Sequence, residues 1–111
     1  MAKARLILIC GLPGSGKTTL AKQLASEVRA VRLSPDEWMH DLGIGYYEEE
    51  TRVRLEKRLW QLGQELLTLS QSVILENGFS AREERDELRL GGRTIGVAVE
   101  LRYLEAPVEE L

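Results

Sequence analysis

The sequence predicts an α/β fold, a parallel sheet with helices on both faces. Short apolar runs at residues 5–10, 30–33, 72–76 and 95–104 alternate with stretches of helical spacing. The first run is apolar without alternation, as in a strand buried on both faces. Between it and the first helical stretch stands Gly11-Leu12-Pro13-Gly14-Ser15-Gly16-Lys17-Thr18, which matches G-x-x-x-x-G-K-[ST].

Each residue type in that loop has a physical reason. Glycines let the backbone curl around a phosphate chain, where a Cβ would block the approach. The N–H groups opening the next helix point at the anion, and the helix dipole favours it. The pattern therefore assigns Gly11, Leu12, Pro13, Gly14, Ser15, Gly16, Lys17, Thr18 and Thr19 to nucleotide binding. Lys17 reaches the β- and γ-phosphates, and the Thr18 hydroxyl ligates Mg²⁺. A plain glycine turn with an incidental lysine is the competing reading. The order strand, loop, helix counts against it.

The helix after the loop is expected over 17–28, and a second strand over 30–33. Ser34-Pro35-Asp36-Glu37 then reads as a capping box with proline at the first helical position. It opens a short helix through Trp38, Met39 and Leu42, which Gly43-Ile44-Gly45 breaks. Tyr46 and Tyr47 beside those glycines suggest exposed aromatic surface. From 48 to 70, Leu55, Leu59, Leu62, Leu66 and Leu69 recur at helical spacing, widened by Val53, Trp60 and Leu67. A face that broad packs on a sheet. The third strand, 72–76, ends in Glu76, and Asn77-Gly78-Phe79 turns the chain. Ser80-Ala81-Arg82-Glu83 is a second capping box, and its helix is expected to end at Gly91-Gly92. The fourth strand is expected over 95–104, and Pro107 near the start of a further helix. Right-handed crossovers place the loop, Asp36 and Glu76 together at the carboxyl edge of the sheet.

Composition bounds the rest. The 111 residues suit one small domain, expected over 1–111, with 43% hydrophobic and 30% charged residues. A net charge of −3 argues against a general basic field for nucleic acid. The lone Cys10 excludes an internal disulfide and any cysteine metal cluster, and the lone His40 supports no catalytic triad. The apolar run is too short for a signal peptide or a membrane span, so a cytoplasmic setting without membrane contact is expected.

Four blocks carry a family resemblance: 11–18, Leu33-Ser34-Pro35-Asp36-Glu37, Val73-Ile74-Leu75-Glu76-Asn77-Gly78-Phe79 and Leu101-Arg102-Tyr103-Leu104-Glu105-Ala106-Pro107. Together they resemble the small P-loop kinases of the AAA type. That group includes chloramphenicol phosphotransferase, zeta-toxin-like kinases, gluconate kinase and the kinase half of polynucleotide kinases. The resemblance implies a P-loop NTPase sheet of order 2-3-1-4-5, here 2-3-1-4 with the fifth strand missing. It also implies ATP with Mg²⁺ as cofactors and γ-phosphoryl transfer to a hydroxyl. Asp36 matches the acidic residue that orients or deprotonates the acceptor, so Lys17 and Asp36 are the catalytic candidates. Glu76 stands where many relatives carry aspartate, and joins Thr18 as a metal candidate through a Mg²⁺-bound water. Arg82 and Arg85 stand where relatives have arginines that meet substrate or phosphate, with a solvated helix face as the competing reading. Relatives continue into an arginine-rich lid and a fifth strand. The chain is therefore expected to be cut off at its carboxyl end.

Two functions follow as expectations. One is an ATP-dependent kinase for a small-molecule acceptor, with a nucleic-acid end less favoured. Trp38, Tyr46 and Tyr47 are candidate walls of the acceptor pocket; the alternative is that Trp38 packs into the core and the tyrosines cover a helix end. The other is a nucleotide-binding or regulatory module without phosphotransfer. Self-association through the edge strand 95–104 is a further expectation.

Overall fold

The apolar run after Ala4 becomes the central strand of the sheet. The computed structural model describes residues 4–11, 16–45, 47–76 and 82–104, without the side chains of 82–85 and 103. Strand β1 spans Arg5–Gly11 and is buried from Leu6 onward. Helix α1 (Lys17–Val28) leads to β2 (Val31–Leu33), then α2 (Pro35–Asp41) and α3 (Glu49–Thr68). Strand β3 (Val73–Glu76), helix α4 (Arg82–Ile95) and strand β4 (Ala98–Leu104) follow. The strands pair in the expected order, β2-β3-β1-β4, and every pairing is parallel. Leu33 stands opposite Leu75 and Ile9 opposite Glu76, so β1, β2 and β3 end at a common edge.

Side chains alternate along a strand, so the sheet has two cores. Ile7, Ile9 and Ile74 face α1 and pack with Ala21 and Leu24. Leu6, Leu8, Leu33, Val73 and Leu75 face the other way and pack with Leu59 and Leu67 of α3. Leu88 and Ile95 of α4 close that second core. Glu76 continues the row of Ile74, on the α1 side.

Helix α2 starts as its sequence demands. The Ser34 hydroxyl accepts the N–H of Glu37 at 3.3 Å, and Pro35 sits in the first turn. The Glu37 carboxylate pairs with Arg32. Met39 is fully buried, Trp38 is 39% exposed, and Tyr47 is exposed. Tyr46, Asn77 to Ala81 and Glu105 to Leu111, including the second cap at Ser80, the turn at Asn77 and Pro107, lie outside the described residues.

The structure differs from the sequence reading at four places. Gly91 and Gly92 do not end α4; they lie inside it. A Cβ on Gly92 would stand 2.6 Å from Val99 Cγ2 and 3.2 Å from Leu6 Cδ2. A Cβ on Gly91 would stand 2.7 Å from Trp60 Cζ2. These glycines let α4 lie close to the sheet and to α3, and the helix ends instead at Gly96, with φ +89°. The fourth strand consequently starts at Ala98, because Ile95 closes the helix. Leu69 leaves the apolar stripe: α3 ends at Thr68, and Leu69 is 78% exposed. Ala30 and Ser72 flank β2 and β3 rather than joining them.

Gly92→Ala should destabilise the fold by about 1–3 kcal/mol, the usual cost of overpacking a filled core. Gly63→Ala should behave oppositely. Its Cβ would meet Trp60, Val73 and Leu33 at 3.6 Å or more. The better helix propensity should then gain up to about 1 kcal/mol. Urea unfolding of the two variants checks both signs.

Candidate functional site

Three chain segments reach the shared edge: the start of α1, the start of α2 after β2, and the end of β3. The first is set by Gly16, which caps α1 at φ +91° and ψ 13°. That conformation favours glycine. The helix has no side-chain cap and no acidic residue in its first turn. Its orphan N–H groups and Lys17 suit an anion. The Lys17 ammonium donates to the Gly11 carbonyl at 3.5 Å, back at the end of β1. Leu12, Pro13, Gly14 and Ser15 lie outside the described residues, and Thr19 is exposed in the first turn.

Thr18 and Glu76, the two metal candidates, meet directly. The Thr18 hydroxyl donates to Glu76 Oε1 at 2.5 Å. Glu76 is only 4% exposed. A carboxylate so buried needs a partner, and Arg32 supplies it. Arg32 Nη1 donates to Glu76 Oε2 at 2.5 Å, while its Nη2 pairs with Glu37. Burial opposes the Arg32 charge, but the bonds to Glu37 and Glu76 outweigh it and raise the guanidinium above its ordinary pKa. The bond from Arg32 holds the Glu37 carboxyl below its usual range.

Asp36 sits in the first turn of α2, and its carboxylate pairs with Arg52 of α3. Beyond Arg52, a cleft of about 190 Å³ runs between α3 and α4. Val53, Trp60, Leu75 and Leu88 give it an apolar floor, with Glu56 and Lys57 among its polar walls. His40 is exposed in α2 and Cys10 is buried in β1. The side chains of Arg82 and Arg85 lie outside the described part.

Sequence reasoning singled out neither Arg32 nor Arg52. A signal for Arg32 existed: an arginine inside a short apolar strand, beside an acidic helix start, must find a carboxylate. Arg52 gave no such signal, because its partner lies on another helix.

Among the described residues, no group of three or more His, Cys, Asp or Glu is placed to hold a metal ion. The pair of one hydroxyl and one carboxylate fits Mg²⁺, which keeps several waters and takes oxygens from phosphates. No described helix is long and apolar enough to cross a membrane.

Comparison with known proteins agrees with this fold. Residues 6–111 match the family described as an AAA domain. No curated protein matches the chain. A Chloroflexus aurantiacus protein provisionally named a kinase is 25% identical, with a TM-score of 0.74 over 94% of this chain and 60% of that one. The APS kinase CysC of Mycobacterium tuberculosis is 20% identical, with a TM-score of 0.75 over 96% of this chain and 79% of that one. A chain of the Pnkp1/Rnl/Hen1 complex is 22% identical, with a TM-score of 0.80 over 100% of this chain and 38% of that one. The last two likenesses concern the fold alone. This chain spans less than two thirds of the Chloroflexus protein.

The buried pair makes a stability prediction. Arg32→Met leaves Glu76 without its cation and should cost about 3–5 kcal/mol, as when one partner of a buried ion pair is removed. Arg32→Met combined with Glu76→Leu should recover most of that loss. Thermal melts of the single and double variants check it. A double variant no better than the single would show that Glu76 does not depend on Arg32.

Proposed function

Because the chain belongs to the family described as an AAA domain, we propose that it is an ATP-dependent kinase acting on a hydroxyl group. The observation that carries this reading is the bond between Thr18 in the first turn of α1 and buried Glu76 at the end of β3. It lies beside a helix start suited to phosphate. Residues Gly11 to Thr19 hold the nucleotide, with Lys17 on its outer phosphates. Thr18 would hold Mg²⁺ directly and Glu76 through a water. Bound Mg²⁺-ATP supplies the transferable phosphoryl group and neutralises its charge. Asp36 orients the acceptor hydroxyl and takes its proton through Oδ2, since Arg52 holds Oδ1. Lys17 and Asp36 are thus the catalytic pair, and a small-molecule alcohol is favoured over a nucleic-acid end.

One observation favours the second reading, a nucleotide-binding module without transfer. Arg52 already occupies Asp36. A chain in which Asp36 serves only that pair binds ATP and stops there.

Lys17→Ala should weaken ATP binding by tenfold or more in calorimetry, since bonds to charged groups are worth about 1.5–3 kcal/mol. Asp36→Asn should leave that affinity in place and lower kcat by about 10²–10⁴-fold, the range for a lost general base. Labelled ATP, screened against alcohols, sugars, antibiotics and oligonucleotides, identifies the acceptor. ATP binding with no transfer to any of them would favour the module.

A further inference from the structure

Arg32 is the one described side chain that touches both sides of the proposed site. It lies opposite Ile74 in the register of β2 and β3. Its side chain therefore shares a sheet face with Glu76, two residues further along. The side chain is 13% exposed, and its guanidinium forks. One arm holds Glu76 beneath the Thr18 hydroxyl, and the other holds Glu37, the neighbour of Asp36.

We infer that Arg32 is a positioning residue, which registers helix α2, and with it Asp36, to the carboxylate that holds Thr18. This rests on the nucleotide reading of the site and adds a coupling to it. The chain of bonds Thr18–Glu76–Arg32–Glu37 crosses α1, β3, β2 and α2. Two features make it a positioner rather than a generic countercharge. The guanidinium is planar, with donors at fixed angles, so it sets two carboxylates at one relative placement. Glu37 also has its backbone N–H held by Ser34, so pulling on its side chain pulls on the first turn of α2. Any displacement of the Thr18 hydroxyl or Glu76 on nucleotide binding is then felt where Asp36 sits. From the other side, Arg52 of α3 holds Asp36 itself. The candidate base is thus placed by two arginines, one on a strand and one on a helix.

The chain carries its own reporter. Trp38 follows Glu37 in α2 and is 39% exposed, while Trp60 lies on α3 against Gly91. The two indole N–H resonances can be followed by NMR in ¹⁵N-labelled protein and assigned with Trp38→Phe. The ligand is Mg²⁺ with a non-hydrolysable ATP analogue. In the wild-type chain the Trp38 resonance should shift on binding. In Glu37→Gln, which cuts the bridge at its exposed end, that shift should be lost while calorimetry finds the affinity unchanged. Arg32→Lys keeps a charge but not the fork, and should lose the shift as well, with its fold checked by amide dispersion. An undiminished Trp38 shift in Glu37→Gln would overturn the proposal, as would a wild-type chain that binds the analogue with no shift at Trp38. A wild-type chain that binds no nucleotide would overturn the functional reading itself, and this coupling with it.

Discussion

A carboxylate buried at the end of a central strand has to be answered by its neighbours, and here that constraint is Glu76. At 4% exposure it has little water to solvate it. An unpaired charge there would cost several kcal/mol. Thr18 answers one oxygen and Arg32 the other. Each answer fixes more than a charge. Thr18 sets the first turn of α1, and Arg32 sets the reach from β2 to α2. The same interactions that satisfy Glu76 thus assemble the edge where phosphate chemistry would occur. An apolar residue at that place would cost less to bury. A charge kept there despite the cost is a pointer to function, in line with the clustering of costly groups at sites.

The sheet makes this possible. β1 is apolar and buried from Leu6 onward and pairs with both β3 and β4. Both of its faces are covered, α1 on one side and α3 with α4 on the other. Parallel strands of that kind bring successive segments to one edge. Two glycines inside α4 let that helix press against Val99 and Trp60, closing the second core. The apolar cores therefore set the frame, and the polar groups lie at its rim.

Much of this was legible before any coordinates. Unbroken apolar runs marked β1 and β3, and the glycine loop with Lys17 and Thr18 placed α1. Ser34 with Pro35 placed the start of α2 at the right residue. These signals are local, and local physics decides them. The errors came where tertiary contact decides. Gly91 and Gly92 read as a helix stop, but their missing side chains serve close packing against residues distant in sequence. Leu69 fitted a heptad count, yet the helix ends one residue earlier. Asp36 and Glu76 were picked as site residues. Their partners Arg52 and Arg32 were not, because ion pairs between elements leave no spacing signature. At Arg32 the apolar strand around it signals a need for a carboxylate, but only the sheet sets it beside Glu76.

The most direct measurement is ATP binding by calorimetry with Mg²⁺ and with EDTA, in the wild-type chain and in Glu76→Gln. The account predicts that Mg²⁺ tightens ATP binding to the wild-type chain. In Glu76→Gln that tightening should be lost, while binding in EDTA survives through the loop and Lys17. Equal tightening by Mg²⁺ in both proteins would contradict it, since Glu76 would then be a buried structural charge with no part in holding the metal.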